Sequence, residues 1–545
     1  MSPDGVREGP PPLQDKSAAI TIVGAGVFGL STAIHLAQRG YTNITIFDKQ
    51  PYHETQYSYF KGCDAASADM NKIFRSAYGS QTEYQSLSIE ALDAWRRWNA
   101  EIASGDDLPP GMTQNDKVLI NNGNLSMTDK STLPPFEMAT VRNMHEAGHP
   151  DTQLITYDQR HVQIAHKRSF DFAIDPFNRK QRGQNYLGVL DTMGGTILAD
   201  KACSFALHKA LRLGVGTVFG PESGTFASFI WAAKGTGTGT RRAHGDIVVG
   251  IRTLDGKSHH STRTIMACGG WTPALLPSLD SVCETTAGTV VMLKLPADLA
   301  AARRYSADKF PSWTYKMRDG AEGGLYGFPA TDEGYMKIGY RGTKYTNPQV
   351  QRDGCERSVP ITRYNSRPRT ERSAVTTNDQ NIPPESAAVT ITNNQDQMIP
   401  MQALRVINRF IADFLPELLP ATNGGVEKAD IDVMTRLCWY TDSWDNHFVI
   451  DHVPNHENVL VATAGSGHAF KFLPNIGSWI ADILEGKGLE RPLVRSWRWR
   501  TRWDITQDKV TNELMEGSAG RRALARTQMS STKPRLGQVL QTAKL

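Results

Sequence analysis

Three glycines near the start of the chain constrain its fold more than any other feature. Gly24, Gly26 and Gly29 follow a β-branched run at residues 19–23 and open a segment, residues 29–39, with apolar residues at helical spacing that stops at Gly40. A second β-branched run, residues 43–47, closes on Asp48. This order is a βαβ unit, and the G-x-G-x-x-G spacing has a reason at each glycine. One makes the tight turn, one lets a pyrophosphate approach the backbone, and one lets the helix pack. Val27 and Phe28 sit where the helix begins, so its positive end stabilises phosphate charge. Asp48 is placed to accept hydrogen bonds from an adenosine ribose. The motif alone suits FAD and NAD equally.

The apolar stretch 18–37 has the look of a membrane span or a signal, but its glycines fall where a strand-turn-helix needs them. The leader before it is acidic and Pro-rich, without the basic start of a secretory signal. No membrane span is expected. With 545 residues and 39% apolar content, two domains around a large core are the expectation. Sixty basic against 56 acidic residues leave a charge of +4, too even for a chain that lives on phosphate backbones. Nucleic acid is not an expected partner, and the Trp/Arg-rich stretch 496–503 is read as a packed surface strap. Cys63, Cys203, Cys268, Cys283, Cys355 and Cys438 form no CxxC pair, which fits a reducing compartment and no metal centre.

Four further segments carry chemistry. The first runs Asn71, Lys72, Ile73, Phe74, Arg75 and on to Gly79. The second, residues 264–272, is a strand ending in Gly-Gly-Trp-Thr. The third is a hairpin of Tyr326-Gly-Phe-Pro against Met336-Lys337-Ile-Gly-Tyr-Arg341. The fourth is Arg436-Leu-Cys438-Trp-Tyr440-Thr, continuing to Gly465-Ser-Gly467-His468-Ala-Phe-Lys471. Together with the glycine motif these resemble the sarcosine oxidase and fructosyl amino acid oxidase (amadoriase) group of the glycine/D-amino-acid oxidase superfamily, over most of residues 18–490. The resemblance implies FAD as cofactor, linked covalently by a thioether from Cys438 to the flavin 8α carbon. It implies that Arg75 and Lys471 bind a substrate carboxylate and that Lys337 lies by the flavin and promotes reaction with oxygen. Lys72, Gly467 and His468 are expected at the cofactor. Arg341 replaces a histidine familiar from the bacterial enzymes, which changes one wall of the pocket.

The fold expected is α/β, a Rossmann-type FAD-binding domain with a second, antiparallel-sheet α+β substrate domain. Residues 1–16 are expected as a disordered arm. The FAD-binding domain is assigned 17–110, 196–280 and 431–490, and the substrate domain 111–195 and 281–430 with a polar surface insertion at 343–400. A smaller loop is expected at 235–242, and residues 491–545 form a C-terminal extension.

Hydride removal from an amine needs a neutral nitrogen, a fixed C–H bond and a neutralised substrate carboxylate. Arg75 supplies a planar fork and Lys471 a point charge for the last of these. Cys438 and Tyr440 are two apart and face the same way on a strand, which brings the Tyr hydroxyl toward the site. Alternation points Lys337 away from Met336 and Ile338, and a cation there stabilises superoxide electrostatically. His468 is equally a flavin hydrogen-bonder and a satisfied structural histidine. The expected activity is oxidation of a secondary amine or N-substituted amino acid to an imine, with oxygen reduced to hydrogen peroxide. A tailoring oxidase that makes a cyclising iminium, a nicotinamide-dependent dehydrogenase and a non-catalytic flavin-binding protein are the alternatives. Sarcosine, pipecolate, saccharopine, a fructosyl amino acid or a pathway intermediate all suit the residues as substrate. The final Ala543-Lys544-Leu545 is similar to the Ser-Lys-Leu address, which implies a peroxisomal import receptor as partner and the peroxisome as location.

Overall fold

The computed structural model describes residues 10–232, 247–298, 303–362, 389–390, 397–419, 431–506 and 509–534. Its first sheet has the order Val449–His452, Val459–Thr463, Arg263–Met266, Ile20–Val23, Ile44–Asp48, Gly216–Phe219. All neighbours are parallel except the antiparallel edge strand Val449–His452. The central strand Ile20–Val23 is buried along its whole length, as a parallel sheet covered on both faces requires. The helices Val27–Gln38 and Ile476–Leu484 meet closely because Gly477 has no side chain. A Cβ there would stand 1.9 Å from the Ser31 carbonyl oxygen, and the Gly477 amide instead donates to Ser31 Oγ at 2.8 Å.

A second sheet of eight strands runs Val433–Ser443, Cys283–Lys294, Tyr335–Tyr345, Leu325–Gly327, Ser312–Tyr315, Asn124–Met127, Gly188–Asp191, Gln153–Ile155. Only the pair Ser312–Tyr315 and Asn124–Met127 is parallel. The helix Met401–Phe414 covers it with Leu404, Ile407, Phe410, Ile411 and Phe414, a stripe at helical spacing. Phe410 stacks on Trp313 with ring centroids 4.4 Å apart. A small sheet of Asn71–Phe74, Gly195–Leu198 and Leu119–Ile120 lies apart from both. Among the described residues no helix is long and apolar enough to cross a membrane.

The βαβ unit and the hairpin form as the sequence predicts, and the α/β class with a separate, mainly antiparallel sheet holds. Three assignments change. Residues 431–443 belong to the second sheet, where Cys438 pairs with Gly288, and only the chain after them returns to the first. Residues 10–16 are packed rather than free: Leu13 is buried, its amide donates to the Leu484 carbonyl at 2.8 Å, and Lys16 pairs with Glu485. The polar insertion begins later than 343, because Tyr335–Tyr345 runs through that position and Arg357 is buried between Asp280 and Asp353. The C-terminal extension folds back on the second sheet through Arg522 to Glu284 at 3.0 Å and Ser530 to Ile399 at 2.8 Å. In the strap, Trp497 is fully buried and Arg500 pairs with Asp445 at 3.0 Å. The loop 235–242, most of the insertion and the terminal tripeptide lie outside the described residues.

Candidate active site

One cavity of about 530 Å³ runs from the glycine turn to the interface of the two sheets. At its first end Gly24 has φ of +107°, and a Cβ would stand 2.3 Å from the Ala267 carbonyl oxygen, so only glycine makes this turn. Gly29 lies against the turn itself, where a Cβ would meet the Gly24 oxygen at 1.8 Å. Gly26 precedes the helix Val27–Gln38, which has no side-chain cap and no acidic residue in its first turn. Val27 and Phe28 line the cavity there. Such an end is ready for an anion. Ser67, which sequence reasoning missed, reaches the same place, its Oγ accepting from the Val27 amide at 3.3 Å.

Asp48 accepts from the Ala25 and Gln50 amides at 2.7 and 2.8 Å, which fixes the glycine turn to the second strand. Beside it Lys49 lies over Trp271 at 3.9 Å, and its buried Nζ has no hydrogen-bond partner among the described residues. A glycine cradle, a helix start whose own N-cap residue offers no side chain and a buried ammonium without a described hydrogen-bond partner together fit a dinucleotide.

Further along, three basic side chains gather around one carboxylate. Asp69 accepts from Lys72 at 2.6 Å and from Lys337 at 2.8 Å. Lys337 also donates to the Asn71 carbonyl at 2.6 Å and lies 4.5 Å from the centroid of Phe328. Arg436 donates to the Ala68 carbonyl at 2.9 Å and approaches Cys438 Sγ at 3.6 Å. Burial pushes the Asp69 carboxyl up, but Lys337 and Lys72 outweigh it and hold it well below its usual value. Burial brings Lys337 down to about 8 against the pull of Asp69.

The cluster acts on Cys438. Burial raises its thiol, yet Lys72 and Arg436 outweigh burial and leave it below its ordinary value. Burial moves Cys63, Cys203, Cys268 and Cys283 the other way, Cys63 to about 12. Lys72, Tyr326 and Tyr440 line the cavity, whereas Lys337 and Cys438 each touch a residue that does. Lys337 is fully buried and paired with Asp69, behind the cavity-lining Phe328. Tyr440 and Tyr326 bring their hydroxyls within 3.4 Å, and Gly339 makes room for the Tyr326 ring, where a Cβ would intrude to 2.1 Å.

At the other side Arg75 and Lys471 share the ring of Tyr78, 5.3 and 4.6 Å from its centroid. Lys471 Nζ donates to the Arg75 carbonyl at 3.2 Å. No described carboxylate is in ion-pair distance of either cation. Burial and the Arg75 charge push the Lys471 ammonium well below its ordinary value.

His468 orders this corner. Its Nε2 faces the Asn446 carbonyl and its Nδ1 faces the Tyr78 hydroxyl, both at 3.1 Å. Burial brings its pKa down to about 3, so the ring is neutral, with Nε2–H donating to Asn446 and Nδ1 accepting from Tyr78. Both nitrogens are thus spent on the protein, and His468 positions Tyr78 rather than offering a free donor. The loop before it is strained: Ala464 and Ser466 adopt φ of 56° and 45°, and Gly467 has φ of 72°. A Cβ at Gly467 would meet Arg341 Nη1 at 1.9 Å. Arg341 is itself held by Asp442 at 3.0 Å and stacks on Tyr440 at 4.1 Å.

The comparisons agree with this architecture. Residues 19–483 match the family model for FAD dependent oxidoreductases, DAO. L-saccharopine oxidase of Schizosaccharomyces pombe is 28% identical over 89% of this chain and 93% of its own. N-methyl-L-tryptophan oxidase of Salmonella dublin is 22% identical over 86% of this chain and 95% of its own. Among solved structures, a thermally stable mutant of fructosyl peptide oxidase superposes with a TM-score of 0.67 at 23% identity, covering 94% of this chain and 99% of that one. Fructosamine oxidase (Amadoriase II) from Aspergillus fumigatus gives 0.65 at 21% identity, covering 96% and 99%. With a dinucleotide cradle, a matching fold and a family model that spans most of its length, the chain belongs to the FAD-dependent oxidoreductase (DAO) family.

Proposed function

We propose that the protein oxidises the C–N bond of a secondary amine in an N-substituted amino acid. Two hydrogens leave the substrate as a hydride and a proton, giving an imine, and oxygen takes up both electrons and both protons as hydrogen peroxide. The observation that carries this reading is the Arg75–Lys471 pair, two cations at one ring without a described carboxylate partner, in the cavity that begins at the nucleotide cradle. Bound FAD supplies the hydride acceptor and the site of oxygen reduction. The glycine turn and Lys49 would hold its phosphates and adenosine end, with Lys72 and Tyr440 toward its other end. Arg75 and Lys471 fix the substrate by its carboxylate. Both curated relatives are named for substrates of this kind, L-saccharopine and N-methyl-L-tryptophan.

A peroxide-coupled screen over N-substituted amino acids tests the reading; no turnover with any of them would sink it. Arg75→Ala and Lys471→Met should each raise KM by roughly 10- to 100-fold, since a charge-assisted contact contributes about 1.5–3 kcal/mol. Lys471 also gives the binding a pH dependence. An arriving carboxylate restores the ammonium that burial suppresses, so binding takes up a proton between the depressed free value and the ordinary 10.5. KM should therefore rise with pH across that window, by at most about tenfold per unit. A KM independent of pH there removes the role assigned to Lys471.

The same reading extends to linkage and location. The lowered thiol of Cys438, beside Lys72 and Arg436, supports a thioether to FAD, formed as the thiol S–H and one 8α C–H are lost and oxygen takes the two hydrogens as peroxide. The terminal Ala543-Lys544-Leu545 supports import into the peroxisome through its receptor, where catalase removes the peroxide. A fluorescent protein fused at the N-terminus should give puncta on a peroxisomal marker, and loss of the last three residues should spread the signal. Diffuse signal from the full chain refutes the address.

A further inference from the structure

The outer part of the cavity holds a second pair of charges that the carboxylate site does not use. Arg318 follows the strand Ser312–Tyr315 and stands exposed at the cavity mouth, its guanidinium 3.9 Å from the centroid of Phe136. Arg75 lies at the same ring, 5.8 Å away. Next to that ring is Glu137, whose Oε1 accepts from Ser126 Oγ at 3.1 Å. All of these line the one cavity, and among the described residues neither Arg318 nor Glu137 has an ion-pair partner. The charges of Arg75 and Glu137 both act on Arg318, in opposite senses.

The platform is fixed rather than incidental. Phe136 and Glu137 sit in the first turn of the helix Pro135–Glu146, which docks on the turn at Gly79. Asn143 Nδ2 donates to the Gly79 carbonyl at 2.7 Å and the Gly79 amide donates to Thr140 Oγ1 at 3.2 Å. Gly79 has φ of +60°, and a Cβ would stand 2.5 Å from the Phe136 ring. The segment that carries Arg75 therefore also seats Phe136, so the two charge sites keep a set relation to each other.

We infer that Arg318 and Glu137 clamp the carboxylate and ammonium of a free α-amino-acid head, while Arg75 and Lys471 take a second carboxylate next to the reacting nitrogen. This rests on the amine oxidase reading and names its substrate class: an amino acid joined through its side-chain nitrogen to a second, carboxylate-bearing carbon. The described wall here carries Arg75, Lys471 and Arg318 with one carboxylate, Glu137, while Asp191 acts on Lys471 from behind the wall. A ligand with two carboxylates and one ammonium gives each of these groups an opposite charge to meet, and a simple N-methyl amino acid leaves Arg318 and Glu137 unmatched.

The FAD-loaded full chain is assayed for peroxide with L-saccharopine, which has both heads, and with N-methyl-L-alanine, which has one. The ratio of the two kcat/KM values should favour L-saccharopine. Arg318→Met and Glu137→Gln should each lower it by roughly 10- to 100-fold, as loss of a charged contact implies. A second readout is inhibition by two compounds without a secondary amine, L-2-aminoadipate and glutarate. The wild type should bind aminoadipate the more tightly, and Glu137→Gln should abolish the difference. A ratio that neither substitution moves, or equal binding of the two inhibitors, overturns the clamp alone. If neither amine is oxidised, the oxidase reading falls and the clamp falls with it.

Discussion

Acid or detergent should leave FAD attached to the wild-type chain, whereas Cys438→Ala should release it into the supernatant. A thioether survives unfolding; a set of hydrogen bonds does not. The assignment rests on where this thiol stands among the others. Burial makes Cys63, Cys203, Cys268 and Cys283 poorer thiolates, while Cys438 lies between Lys72 and Arg436 and moves the other way. The thiolate is the nucleophile, so a buried cysteine whose thiol is lowered rather than raised is equipped to form the bond. Strand geometry adds direction: Arg436, Cys438 and Tyr440 alternate onto one face of Val433–Ser443, the face that turns Tyr440 to the cavity. Precipitating both proteins and reading flavin absorbance in pellet and supernatant decides the matter. Colour that stays in the pellet with Cys438→Ala, or leaves it with the wild type, ends the proposal.

The features that were legible in the sequence are those whose chemistry is local. The glycine turn needs three glycines within six residues, and the hairpin needs two short runs and a turn, so both are visible in one window. Arg75 and Lys471 are far apart in sequence, and only their motifs brought them together; the structure adds that Tyr78 and His468 hold them there. What was missed is the countercharge. Asp69 is two residues before Asn71 and Asp442 two after Tyr440, yet nothing local says that one faces Lys337 and the other Arg341. Those pairs span 268 and 101 residues, the first between the lead-in to the small sheet and a strand of the second sheet, the other between two strands of the second sheet, so they exist only once the chain is folded.

The boundary at 431 was misplaced for a related reason. The strand Val433–Ser443 is buried on nearly every residue, so it shows no period-2 pattern that separates a second-sheet strand from a parallel core strand. The leader misled through composition. Prolines at 10–12 look like disorder, but a proline has no amide to satisfy, and the buried Leu13, bonds to the Pro11 and Leu13 carbonyls and the Lys16–Glu485 pair lay the chain against the Ile476–Leu484 helix and its neighbours.

Asp69→Asn should cost the protein about 3–5 kcal/mol of stability, the range for leaving a buried charge uncompensated. Lys72 and Lys337 would then face each other with Arg436 nearby and no anion between them. The Asn71 carbonyl would still accept from Lys337, so the loss concerns charge more than hydrogen bonding. The wild-type contribution also has a defined acid limit. The Asp69 carboxyl is depressed in the folded protein, so its contribution is complete above the ordinary carboxyl value of 3.8 and is lost as pH falls through the depressed one. Chemical unfolding at neutral pH, with and without a second substitution Lys337→Met, separates charge from packing. The double variant removes one of the stranded cations and should recover part of the loss, a coupling expected only between groups that interact directly. An Asp69→Asn midpoint equal to wild type, or a double variant whose loss is the simple sum of the two singles, would show that the carboxylate does not bind this cluster together.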